Sequence, residues 1–106
     1  MTSSDRLAAL ERMVGNRPDD SRLRFGLALE YLNAGRTEEG AEALLVYLDG
    51  TDDEGNGWGR LGSALRELGR DDEAAEAYRT GIAAANRHGH PTMADELGET
   101  LRDMIS

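Results

Sequence analysis

Residues 58–82, WGRLGSALRELGRDDEAAEAYRTGI, decide how this chain folds. Trp58, Leu61 and Leu65 recur three to four residues apart, the spacing that puts apolar side chains on one side of a helix. Gly69 then offers a left-handed stop. Asp71 reads as an N-cap, with Asp72 and Glu73 in the first turn of a new helix, where negative charge meets the positive end of the helix dipole. Ala74, Ala75, Tyr78 and Ile82 form its apolar stripe, and that helix ends around Gly89. The stretch is two helices about a glycine turn.

The same pattern occurs 34 residues earlier, in RFGLALEYLNAGRTEEGAEALLVYL at 24–48. Under that offset Leu27 meets Leu61, Gly35 meets Gly69, Arg36 meets Arg70, and Glu39, Ala41, Glu42 and Ala43 meet Glu73, Ala75, Glu76 and Ala77. Leu44 stands opposite Tyr78, Ala28 opposite Gly62, and Gly40 opposite Ala74. Here the second helix is predicted to start with Thr37 as its cap and to stop at Gly50. Ahead of it, Leu7, Leu10, Met13 and Val14 make one more stripe before the turn Asn16-Arg17-Pro18-Asp19-Asp20. Behind, Pro91 suits the first turn of a last helix, in which Leu97, Gly98 and Leu101 echo Leu61, Gly62 and Leu65 with two residues inserted. An array of repeats needs such end pieces to cover its outer faces.

A 34-residue period of two helices, with Trp58…Leu61-Gly62…Leu65…Gly69-Arg70…Ala74…Tyr78, resembles the tetratricopeptide repeat (TPR). The second unit matches best. Arg24 stands where that pattern favours Trp, Gly40 where it favours Ala, and Asn86 where it favours Pro. The resemblance implies an all-α, right-handed α-solenoid of antiparallel helix pairs and a single domain over 1–106. Its parts would be an N-terminal helix at 4–15, repeat 1 at 21–54, repeat 2 at 55–88 and a capping helix at 91–105. Ala28, Gly62, Ala74 and Gly98 would let helices approach closely, with Tyr31 and Tyr78 filling the gaps.

Composition narrows the function. Twelve arginines against 21 carboxylates and no lysine leave a formal charge of −9, which repels nucleic acid over most of the surface. Such a surface suits a salt-loving or GC-rich organism. The chain has no cysteine, which removes disulfides, thiolate metal sites and thiol catalysis. No apolar run reaches the ~20 residues that cross a bilayer, and Met1-Thr2-Ser3-Ser4-Asp5 does not read as a leader. The expected place is the cytoplasm, away from membranes.

Three strings mimic chemistry. Gly57-Trp58-Gly59-Arg60-Leu61-Gly62 has the spacing of a dinucleotide-binding turn but lacks a second strand downstream. The acidic run Asp49 to Gly57 offers calcium-like oxygens, yet Ser63 stands where a bidentate glutamate belongs; it reads as a polar loop and helix cap. His88 and His90, with Asp95 as a conceivable third ligand, read as a solvated loop with His90 capping the last helix. No catalytic residue, cofactor or metal site is expected.

The resemblance places the binding groove on the first helix of each pair. The partner-binding candidates are Arg22, Phe25, Leu29, Leu32 and Asn33 in repeat 1, and Asn56, Arg60, Ser63 and Arg66 in repeat 2. Repeat 1's first helix is apolar nearly all round, so Phe25, Leu29 and Leu32 either take a partner's apolar side chains or are buried internally. Arg60 and Arg66 either grip a partner's carboxylates as guanidinium forks or pair within the chain, as with Glu96. The implied function is a protein–protein interaction module that binds a peptide or helical segment in its concave groove. The alternative is self-association of the same face as a homodimer. Family members that clamp the carboxylate tail of chaperones use two lysines; this chain has none, so that role is excluded.

Overall fold

The computed structural model describes residues 2–106, without the side chain of Ser3; Met1, the first residue of the stretch read for a leader, lies outside the described residues. Its elements are α1 (Ser3–Asn16), α2 (Ser21–Asn33), α3 (Thr37–Asp49), α4 (Asn56–Glu67), α5 (Asp71–Arg87) and α6 (Pro91–Ile105). There is no strand among the described residues, as the all-α helical-repeat class requires. The helices gather into two compact units, residues 1–51 and 52–106.

Three turns share one construction. Gly35, Gly69 and Gly89 have φ of 78°, 76° and 76°, left-handed values that cost a side chain and cost glycine little. After each, the next N–H reaches back five residues: Arg36 to Tyr31, Arg70 to Leu65 and His90 to Ala85, at 2.7–2.9 Å. That bond closes a Schellman motif. The same residue's C=O already accepts from the following helix, at Gly40, Ala74 and Ala94. Arg36, Arg70 and His90 are therefore the N-caps, which corrects the placement of caps at Thr37 and Asp71. None of the three makes a side-chain cap bond. Instead Arg36 grips Glu39 two-pronged at 2.6 and 2.5 Å, and Arg70 grips Glu73 at 3.0 and 2.6 Å.

In unit 1, α2 packs on both α1 and α3. A capping box between Thr2 and Asp5 opens α1, and the Asp20 carboxylate accepts from Leu23 N–H to open α2. Leu7, Ala28, Ala41, Leu44 and Leu48 are the buried core. Gly40 leaves a notch that Leu32 fills: a Cβ there would lie 2.5 Å from Leu32 Cδ2. Tyr31 is only half-buried. Its hydroxyl donates to Glu11 at 3.1 Å, and the Arg36 guanidinium lies 5.0 Å above its ring.

In unit 2, α5 lies against both α4 and α6 and is lined with alanine. Tyr78 is 2% exposed; its ring fills the hollow at Gly62, where a Cβ would come within 2.9 Å, and its hydroxyl meets Ser63 Oγ at 2.9 Å. Leu97 of α6 sits in a double notch, 2.8 Å from where a Cβ on Gly59 would be and 3.1 Å from one on Gly81. Gly55, at φ 126°, passes the Met93 sulfur with equally little room. Gly59 and Gly62 in α4 and Gly81 in α5 are thus points of close packing. Each costs about 0.5–1 kcal/mol of helix propensity, which close dispersion contact offsets. Gly98 has no such role; its nearest neighbour is the end of Arg102.

Candidate protein-interaction surface

On α2, Arg22, Phe25, Leu29, Leu32 and Asn33 fall within an arc of about 100° at 3.6 residues per turn. Arg22 and Asn33 are exposed, while Phe25, Leu29 and Leu32 are half-buried. Phe25 tilts against Tyr47 of α3, ring centroids 4.9 Å apart at 47°. Leu32 is committed to the Gly40 notch.

On α4, Asn56, Arg60, Ser63 and Arg66 are all exposed. Ser63 is bonded to Tyr78, which positions its hydroxyl at the helix surface. Arg60 and Arg66 have no ion pair among the described residues, so both guanidinium forks are free in a chain of charge −9. That leaves five donors on each for an incoming carboxylate.

The strings that mimicked chemistry are absorbed by packing. Gly57 to Gly62 lies inside α4 rather than on a strand–helix turn. Asp53, 7% exposed, turns inward and its Oδ2 accepts from both Gly55 and Gly57 N–H at 2.9 Å. The histidines do not stand free in solvent. His90 Nε2 lies 2.6 Å from Glu54 Oε1, and His88 Nε2 lies 2.9 Å from Asp52 Oδ2, which also takes Arg87 at 2.8 Å through its other oxygen. The Arg87 bond, with His88 charge behind it, holds the Asp52 carboxyl below its ordinary value. No group of three or more histidines and carboxylates among the described residues is arranged to hold a metal.

The sequence model of the family described as tetratricopeptide repeat matches residues 1–85. The chain belongs to the tetratricopeptide-repeat family. A TPR repeat-containing protein of Pseudomonas aeruginosa is 34% identical over 98 residues, covering 92% of this chain and 93% of that protein. Among solved structures, MamA MSR-1 superposes with a TM-score of 0.68 at 20% identity, over 96% of this chain and 67% of that one. MamA AMB-1 gives 0.66 at 22% identity, over 94% and 68%. These two likenesses concern the fold. TPR membership makes the chain a protein–protein interaction module.

Against the TPR pattern, one apolar feature escaped the reading of the first helices. Leu45 and Val46 on α3 are 47% and 51% exposed. Val46 borders a groove of about 250 Å³ within unit 1, lined also by Arg24, Leu27, Tyr31, Glu39, Glu42 and Ala43. The signal was present in the 34-residue offset, which sets Leu45 and Val46 against Arg79 and Thr80.

Proposed function

We propose that this TPR chain is a non-catalytic adaptor that holds an extended or helical segment of a partner protein. One patch is Arg22, Phe25, Leu29, Leu32 and Asn33 on α2; a second is Asn56, Arg60, Ser63 and Arg66 on α4. The observation that carries the reading is Arg60 and Arg66, exposed and without ion pairs among the described residues of an acidic chain. Such forks match a carboxylate-bearing segment, and the half-exposed Phe25 and Leu29 match its apolar side chains. The charge of −9 disfavours nucleic acid, and no described helix is long and apolar enough to cross a membrane. A cysteine-free chain suits the cytoplasm.

Affinity capture from native lysate, with mass identification and rebinding of the purified partner, tests this reading. The Phe25→Ala/Leu29→Ala variant should keep its helicity and lose the partner, and Arg60→Gln/Arg66→Gln should weaken it in a salt-dependent way. Capture undiminished by both variants refutes the assignment. The half-exposed apolar patch on α2 also suits self-association of two copies; sedimentation across a concentration series separates that reading, which a strict monomer eliminates.

A further inference from the structure

Helix α3 carries an outer face that the fold does not use. Glu38, Glu42, Leu45 and Asp49 recur at i, i+4, i+7 and i+11, one stripe along the helix, with Val46 beside it. All five are exposed. Among the described residues none of Glu38, Glu42 and Asp49 has an ion-pair partner.

The matching helix of unit 2 shows what is missing. There Glu76, the counterpart of Glu42, has Arg79 at 3.4 Å, and Arg79 occupies the position of Leu45. Thr80, in the place of Val46, turns its hydroxyl onto Glu76 C=O at 3.0 Å. In α3 both positions are aliphatic. The exchange therefore does two things together: it exposes apolar surface and it strips Glu42 of its cation. Beside Val46 lies the 250 Å³ groove, lined by Leu27, Tyr31, Ala43 and Arg24 with Glu39 and Glu42; Arg36 already holds Glu39, so Glu42 is the carboxylate left to a partner.

We propose that this face of α3 is a second docking surface, and that its occupant is a basic amphipathic helix of a partner protein. The apolar stripe of that helix would cover Leu45 and Val46, and lysines or arginines beside the stripe would reach Glu38, Glu42 and Asp49. Charge decides the occupant. A second copy would set the same acidic stripe against itself, and a nucleic acid or anionic membrane would be repelled by it. The proposal does not depend on the patches of α2 and α4.

The probe is a labelled synthetic helix of about 18 residues with leucines on one stripe and lysines flanking it, compared by fluorescence anisotropy with a version carrying glutamate for every lysine. The lysine helix should bind, and binding should weaken as salt rises. Leu45→Arg/Val46→Thr installs the residues that unit 2 already carries; it should cut affinity at least about tenfold with an unchanged melting temperature. Should the double exchange impair folding, Glu42→Lys replaces it and should weaken the lysine helix while improving the glutamate one. No binding of the lysine helix, equal binding of both helices, or indifference to Leu45→Arg/Val46→Thr each overturns the proposal. So does sedimentation showing a dimer that this variant dissolves, because the occupant is then a second copy.

Discussion

The α2–α3 pair and the α4–α5 pair are one 34-residue pattern filled in two ways. In the second, Gly62 opens a hollow and Tyr78 fills it; in the first, Ala28 and Leu44 share the space, both fully buried. Volume gained on one helix is given up on the one facing it, as close packing demands. The turns between the helices are alike in both pairs. On the outer face of the second helix no such constraint acts. There Glu76–Arg79 in one pair stands against unpaired Glu42 and bare Leu45 in the other. In these two pairs the Gly62–Tyr78 and Ala28–Leu44 fillings stay in step, while the outward positions diverge.

The sharpest break of this comparison is Tyr78→Ala, which removes a fully buried ring and its hydroxyl partner. It should cost about 3–5 kcal/mol in urea unfolding, the range for large aromatic truncations. Gly62→Ala forces a Cβ within 2.9 Å of that ring and should cost about 1–3 kcal/mol. Adding Tyr78→Leu to Gly62→Ala recreates the Ala28–Leu44 combination of the other pair and should recover much of the loss. A double variant less stable than Gly62→Ala alone would show that the two pairs do not exchange fillings.

Alanine at Gly35 and at Gly69 should cost similar amounts, about 1–2 kcal/mol each, because both residues sit at left-handed φ in the same motif. Unequal melting shifts would break the equivalence of the turns. At the helix starts, Asp53→Ala should cost more than Asp20→Ala, about 2 against about 1 kcal/mol. The buried Asp53 satisfies two N–H groups and Asp20 satisfies one.

The smallest effects are those of pH. Glu39, Glu73 and Asp52 are held below their ordinary values chiefly by bonds from Arg36, Arg70 and Arg87, and Asp5 by the N–H of Thr2. A lowered folded value means the stabilisation is present above the unfolded carboxylate range and lost as pH falls through the folded value. The melting temperature should therefore decline below about pH 4, and Arg87→Gln should shrink that decline, because the chief cause that lowers Asp52 is then gone. Tyr31 behaves oppositely. Burial first, then the Glu11 carboxylate, raises its phenol, so its contribution is intact below the ordinary tyrosine range and fades as pH climbs through the raised value. Tyr31→Phe should flatten that alkaline limb, a limb with no counterpart at Leu65.

What the sequence by itself determined is whatever repeats locally: six helices, their glycine stops and the TPR class. Apolar spacing of three to four residues and left-handed glycines are properties of neighbours along the chain. The arc shared by Arg22, Phe25, Leu29 and Leu32 followed from the same spacing. Only the tertiary structure decided which glycines are notches, with Gly40, Gly59, Gly62 and Gly81 set apart from Gly98 by what approaches them. It also decided that Asp53 turns inward, that His88 and His90 lie against Asp52 and Glu54, and that Leu45 and Val46 stay bare. Most of these are distances, or absences of cover, between residues on different elements. Local periodicity carries no term for such a distance, because it is set by how whole helices lie against one another.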